Sequence, residues 1–219
     1  MKIIGIDLSG PANHKDTVMT IFQMEENELI FEKALTNASD EMLLEAIMSA
    51  ASLDKVVIGI DAPLSYQDGG GDRPQDKSIR KVLKEYGLSG SSIMPPTLTK
   101  MVYLTLRGVV LTRTIMSTKL ADKIKIVEVH PGAAIGTRID KERFEHAREY
   151  KKDLESCRVI LEWYNEIGLK GIPTEFSDTT HQIDACAAAL AAWYLVDPTK
   201  QPVWHWEKIT HNHPFEFCC

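Results

Sequence analysis

Short apolar runs separated by turn signals dominate the first part of the chain. Lys2 to Leu8 is an isoleucine-rich run that contains Asp7 near its end, and Ser9-Gly10-Pro11 follows as a turn. Thr17 to Met24 and Leu29 to Leu35 are two further strand candidates with β-branched and alternating residues. Together the three segments predict an antiparallel meander.

Helical spacing of apolar residues first occurs between Asp40 and Ala51, where Ser39 is the expected N-cap. Val56 to Ile60 is then another fully apolar strand, and Asp61 follows it. The polar stretch from Ser65 to Asp76, with three consecutive glycines, predicts a mobile loop that is long enough to suggest function.

The remaining pattern predicts helices around one more strand, Ile124 to Val129, which contains Glu128. The predicted helices are Lys77 to Tyr86, Leu98 to Thr118, Lys141 to Ile167 and Thr179 to Val196. We therefore predict an α/β protein with a mixed five-stranded sheet, a three-strand meander followed by βα units, and helices on both faces. A single domain over 1–219, with a basic helical and loop insertion at about 65–122, is expected.

Composition narrows the class of protein. Hydrophobic residues make up 44% of the chain and charged residues 26%, which is typical of a globular domain. There is no long uncharged apolar run and no signal-peptide pattern, so neither a membrane protein nor a secreted one is expected. The four cysteines form no CxxC pair. A cytoplasmic location is therefore expected.

Positive charge is concentrated in the middle of the chain. Residues 73–125 carry 11 basic and 3 acidic side chains, although the net charge of the whole chain is −6. Such a basic island is either a solvated helix surface or a surface for binding a polyanion. Its candidate substrate-binding residues are Arg73, Arg80, Lys84 and Lys100. Arg73 and Arg80 either clamp a phosphate or pair with Asp72 and Asp76.

Four acids are candidate catalytic residues. Asp7, Asp61 and Glu128 lie at the ends of apolar strands, where ligands gather in sheets with parallel strands. Asp184 is three positions after His181 and shares its helical face. Clustered carboxylates repel one another, and a hard ion such as Mg²⁺ or Mn²⁺ resolves that repulsion. Each acid alone could instead form a turn or cap a helix, and His181 could be a surface residue.

An ordered set of motifs supports one family resemblance. GIDLSG, GIDAPLS, DRPQDKSIRK, VEVHP and HQIDACAAALAAW together resemble the family called domain of unknown function 429, described as predicted nucleases with a ribonuclease H-like fold. The HQIDACAAA segment also resembles the helix of Holliday-junction resolvases. The resemblance implies Asp7, Asp61 and Asp184 as metal ligands, His181 as a ligand or a base that orients water, and Glu128 as an additional acid.

The leading hypothesis is therefore a metal-dependent nuclease that cleaves DNA or RNA by a two-metal mechanism, with Mg²⁺ or Mn²⁺ as cofactor. GIDLSG also resembles the first phosphate-binding hairpin of the actin, heat-shock chaperone and sugar-kinase group, so an ATP-binding phosphotransferase is the alternative. A third hypothesis is a nucleic-acid-binding protein without catalysis. The chain could also form a homodimer.

Overall fold

The computed structural model describes residues 1–209 and 212–219. Its strands are β1 (Lys2–Asp7), β2 (Val18–Glu25), β3 (Glu28–Leu35), β4 (Val56–Asp61), β5 (Ile124–Val129), β6 (Leu169–Lys170), β7 (His205–Trp206) and β8 (Glu216–Cys218). Its α-helices are α1 (Asp40–Leu53), α2 (Pro74–Glu85), α3 (Val102–Met116), α4 (Pro131–Gly136), α5 (Phe144–Glu149), α6 (Leu154–Glu166) and α7 (Thr180–Val196). The protein is thus of the predicted α/β class.

The described strands form one mixed sheet in the order β6-β3-β2-β1-β4-β5-β8-β7. The meander β1-β2-β3 is antiparallel, and β1, β4 and β5 are parallel neighbours, as predicted. The expected number of five strands is wrong, because the described residues form a sheet of eight. The three additional strands span only two or three residues each, which is too short for a periodic pattern to reveal.

Both faces of the sheet are covered, because successive strand residues point to opposite sides. Ile4 and Ile6 of β1 lie in a core with Leu43 and Ile47 of α1 and with part of α3. Ile3, Val57 and Val127 instead lie in a second core with α4, α6 and α7. Successive residues of each central strand thus point into the two cores in turn. Both faces of the sheet are apolar for this reason, and helices cover each of them.

Helix α7 packs directly on the backbone of two central strands. A Cβ atom added to Gly5 would lie 1.9 Å from the carbonyl oxygen of Ala185, and one added to Gly59 would lie 2.2 Å from that of Ala188. The hydroxyl of Thr20 on β2 also donates a hydrogen bond to the Ala185 carbonyl, at 3.1 Å. These contacts determine where the first turns of α7 lie relative to the ends of β1 and β4.

The prediction of one long helix from Lys141 to Ile167 is wrong. Helix α5 ends at Glu149, and α6 begins at Leu154 with Asp153 as its N-cap. The Asp153 side chain accepts hydrogen bonds from the backbone amides of Glu155 and Ser156. The amphipathic spacing continues across this break, so periodicity alone does not reveal it.

The polar segment 65–76 is partly ordered rather than wholly a mobile loop. Helix α2 begins at Pro74, three residues earlier than predicted, because proline suits the first helical turn and Asp76 accepts a hydrogen bond from the Arg73 amide. Within residues 1–209 and 212–219, no helix combines the length and the apolar character needed to cross a membrane.

Candidate functional site

The carboxyl ends of β1 and β4 place two aspartates side by side. The strands are parallel and in register, with Gly5 opposite Gly59 and Asp7 opposite Asp61. Because the side-chain period of a strand is two, both aspartates leave the sheet on the face where the glycines meet α7. The first half of the predicted carboxylate cluster is therefore formed by strand pairing itself.

Helix α7 brings His181 and Asp184 to the same end of the sheet. The Nδ1 atom of His181 lies 2.7 Å from Oδ2 of Asp7. One turn later Asp184 is fully buried, and its charge acts on Asp61. The structure thus brings together four of the five predicted catalytic residues.

Two neighbours from the turn after α5 bind the Asp184 carboxylate. The Tyr150 hydroxyl donates a hydrogen bond to Oδ1 at 2.8 Å, and the Lys151 ammonium donates to Oδ2. Tyr150 is buried, whereas the Lys151 side chain is 53% exposed. The Lys151 charge that contacts Asp184 directly therefore comes from a surface turn.

The electrostatics of the cluster follow from burial and from like charges. Burial raises the pKa of Asp61 well above its usual value, and the charges of Asp7 and Asp184 raise it further. Burial also raises the pKa of Asp184, while the nearby Lys151 ammonium opposes that rise. Hydrogen bonding to Asp7 raises the pKa of His181. Several carboxyl groups with perturbed pKa values in an open cleft are typical of a functional site.

Asp61 lies where two surface cavities meet. A cavity of about 550 Å³ runs between the end of α2 and the turn after α5, and Arg148, Lys151 and Lys152 line one wall. A second cavity of about 360 Å³ reaches Asp7. The two share four lining residues, which are Asp61, Ser92, His130 and Lys151. Together they form a groove that reaches Asp7 and Asp61.

Glu128 lines the same cavity as Asp7 and Asp61, but its carboxylate belongs to a separate ion network. In the β4–β5 register it is opposite Ile60, so its side chain leaves the sheet on the face away from Asp61. There it receives two hydrogen bonds from the Arg73 guanidinium, at 2.8 and 2.5 Å, and one from the Leu64 amide. Arg73 also binds Asp76, and both arginine and acids are buried.

This ion network accounts for the burial of a charged arginine side chain. Burial alone would lower the pKa of Arg73, but Glu128 and Asp76 hold it above its usual value. A guanidinium with both edges bound to carboxylates has no pair of N–H groups free to bind a phosphate. Of the two alternatives for Arg73, pairing within the protein is the one that the contacts favour.

The other candidate basic residues divide into paired and exposed groups. Arg80 makes a bidentate ion pair with Asp72, with both distances 2.6 Å, and also binds the Ile93 carbonyl. Lys84 and Lys100 are exposed. On α2, Lys84 shares its exposed face with Lys77 and Lys81, at spacings of three and four residues.

Sequence reasoning missed Tyr150, Lys151 and His130 as parts of the site. The first two were hidden inside the predicted long helix, where they read as ordinary members of an amphipathic pattern. His130 accepts a hydrogen bond from the Ala133 amide at the start of α4, and burial lowers its pKa to about 4. Its position directly after β5 and before a proline is the sequence feature that could have identified it as a site residue.

The donor atoms are those of a hard-ion site, but they are already engaged. Among the described residues, no three His, Cys, Asp or Glu side chains are arranged to hold a metal ion. Both oxygens of Asp184 accept hydrogen bonds, and Oδ2 of Asp7 faces His181. Carboxylate oxygens and imidazole nitrogen nonetheless suit Mg²⁺ or Mn²⁺ by their chemistry.

Fold and site together define an α/β protein with a carboxylate cluster at the carboxyl ends of parallel strands. Residues 5–202 match the family model described as protein of unknown function (DUF429), and the chain belongs to that family. No curated protein and no solved structure matches the chain.

Proposed function

We propose that this protein hydrolyses phosphodiester bonds of DNA or RNA in a reaction that depends on Mg²⁺ or Mn²⁺. The observation that carries the proposal is the convergence of Asp7, Asp61 and Asp184 at one end of parallel strands, beside His181, where Asp7 and Asp61 line an open groove. A relationship to ribonuclease H-like nucleases is part of this proposal, since β3-β2-β1-β4-β5 is the order expected of their central strands.

The cofactor would be held by Asp7, Asp61 and Asp184. A divalent ion supplies charge neutralisation for these carboxylates and for a phosphate oxygen, and it makes a bound water more acidic. Because Lys151 and Tyr150 occupy the Asp184 oxygens, the ammonium has to move before that carboxylate can serve as a ligand.

His181 and Asp7 have a geometry suited to moving a proton. With Nδ1–H donated to Asp7, the neutral ring presents Nε2 as a proton acceptor. The side chain is 43% exposed, so water and substrate can reach this atom. Asp7 orients the ring and stabilises its protonated form, which are the properties required of a general base and its partner.

The groove fits an anionic and extended substrate better than a compact one. Asp61 lines both of its cavities, and the wall from Arg148 to Lys152 carries three basic side chains and one acid, Glu149. Phosphates contribute most of the attraction between a nucleic acid and such a surface. The ATP-binding alternative requires two duplicated domains, whereas the described strands form one sheet.

Cleavage assays on single-stranded, double-stranded and branched DNA and RNA test the proposal. With Mg²⁺ or Mn²⁺ we expect cleavage by the wild-type protein and a loss of at least about a hundredfold in Asp7→Asn and Asp184→Asn. Asp122→Asn is the matched control, since Asp122 is an exposed acid just before β5, at the opposite end of that strand. Equal activity in all four proteins would rule out the carboxylate site.

A further inference from the structure

The Lys151 ammonium lies where a cation is needed. It contacts Oδ2 of the fully buried Asp184, and its positive charge also acts on Asp61. Carboxylates whose charges raise one another's pKa values are costly in a buried site without a compensating positive charge. In the protein as it stands, a lysine side chain therefore contributes the neutralisation that a metal ion would contribute.

Lys151 comes from a different part of the molecule than the acids do. Asp7, Asp61 and Asp184 are on the central strands and on α7, which packs against them backbone to backbone. Lys151 lies in the turn between α5 and α6. Its side chain is 53% exposed, so the ammonium can leave the cluster without unpacking any core residue.

The neighbouring residue holds the turn in place independently of Lys151. Tyr150 is 2% exposed, and its hydroxyl binds the other oxygen of Asp184 at 2.8 Å. A change in the Lys151 side chain therefore leaves the turn attached to α7. The flexible four-carbon stem of lysine allows such a movement through side-chain torsions alone.

The cavity beside the cluster offers the ammonium a second position. Lys151 lines the cavity of about 550 Å³ together with Arg148 and Lys152. An ammonium that leaves Asp184 in that direction joins these two basic side chains on the wall of the groove. There it would lie near Glu149 and would face the phosphates of a bound strand instead of Asp184.

We propose that Lys151 is a displaceable internal cation, which binds Asp184 in the metal-free protein and gives way when a divalent ion binds the carboxylates. This inference rests on the proposed function, because it assigns the same carboxylates to a metal. Its consequence is that Lys151 and the metal compete, so the lysine sets the concentration of metal at which the site fills.

Titration calorimetry with Mn²⁺ on the full-length protein tests the competition. Lys151→Met removes the charge and keeps the stem, and we expect it to bind Mn²⁺ at least about tenfold more tightly than wild type. Lys55→Met is the matched control, since Lys55 is an exposed lysine directly before β4, at the opposite end of that strand from Asp61. It should bind Mn²⁺ as wild type does.

A second variant keeps the test decisive if Lys151→Met folds poorly. Lys151→Arg retains a charge that can bind a carboxylate through two N–H groups, so its affinity for Mn²⁺ should equal or fall below that of wild type. Mn²⁺-induced changes in melting temperature should follow the same order, with Lys151→Met showing the largest increase.

The outcomes separate this inference from the proposed function. Equal Mn²⁺ affinity in wild type, Lys151→Met and Lys151→Arg would overturn the competition and leave the nuclease proposal standing. Tighter binding in Lys151→Met without cleavage of any substrate would support the competition and count against the nuclease. Absence of Mn²⁺ binding from every variant would overturn both, and Lys151 would then be a permanent structural cation.

Discussion

Asp7 and Asp61 are paired residues of two parallel strands, at the ends of two identical Ile-Gly-Ile-Asp segments. The sheet thus holds two carboxylates next to each other, on a face that α7 covers. Nothing about sheet formation requires this arrangement, because either acid could be replaced by a neutral residue without loss of backbone hydrogen bonds. The two carboxylates repel each other, and this unfavourable energy is the strongest physical reason to regard the pair as functional.

Substitution of Asp7 by asparagine should relieve that repulsion. The amide oxygen of the new side chain can still accept a hydrogen bond from His181. With a chelator present, we expect the free energy of unfolding at pH 7 to stay equal or rise by roughly 1 kcal/mol. Urea denaturation measures it.

The gain in Asp7→Asn should also depend on pH. Asp7 raises the folded-state pKa of Asp61, so its unfavourable effect is present when Asp61 is ionised. The gain should therefore disappear as the pH falls and Asp61 becomes protonated. A variant that is clearly less stable than wild type at pH 7 would identify Asp7 as a structural acid.

Arg73 should behave as a structural residue. Replacing it with methionine leaves Glu128 and Asp76 buried without their cation, and we expect a loss of about 3–5 kcal/mol in the free energy of unfolding. Arg80→Met is the matched control, because its ion pair with Asp72 is partly exposed and should contribute about 1 kcal/mol. A small loss in Arg73→Met would contradict the network and return Arg73 to the substrate-binding candidates.

His130 should make the protein sensitive to mild acid. Burial lowers its folded-state pKa to about 4, below the unfolded value near 6.5. The neutral ring therefore contributes stability that is fully present above pH 6.5 and is lost as the pH falls toward 4, by up to about 3 kcal/mol. Protonation of Nδ1 would also remove the acceptor of the Ala133 amide.

His130→Asn tests this dependence, since asparagine is a good N-cap and does not titrate. Urea denaturation between pH 4 and 7.5 gives the free energy of unfolding of both proteins. The two values should converge as the pH falls. Parallel curves for wild type and variant across that interval would show that His130 does not titrate differently on folding.

The exposed lysines of α2 should contribute to nucleic-acid affinity. In fluorescence anisotropy with single-stranded DNA or RNA, Lys84→Gln should reduce the slope of log affinity against log salt by roughly 0.7 for each phosphate contact that is lost. Arg80→Gln should leave the slope unchanged, because Asp72 already binds that guanidinium. The opposite result, with Arg80 affecting the slope and Lys84 not, would place the substrate path elsewhere.

The sequence predicts the central strands and their acids because each strand is a continuous apolar run with an abrupt polar end. Asp7, Asp61, His181 and Asp184 could be named for that reason. Glu128 ends a similar run, yet strand register turns it to the other face, and register depends on pairing across 60 or more residues. Lys151 could not be found, because a break in a helix with unbroken amphipathic spacing leaves no periodic signal.

The contact of α7 with Gly5 and Gly59 has a consequence for hydrogen exchange. The amides of β1 and β4 lie beneath a helix that leaves no space for a methyl group, so they should exchange only when the whole domain unfolds. The turn that carries Lys151 is exposed and should open far more often. The strands that carry Asp7 and Asp61 should therefore exchange their amide hydrogens slowly, and the turn that carries Lys151 rapidly. On heating, Lys151 should separate from Asp184 before the strands unfold.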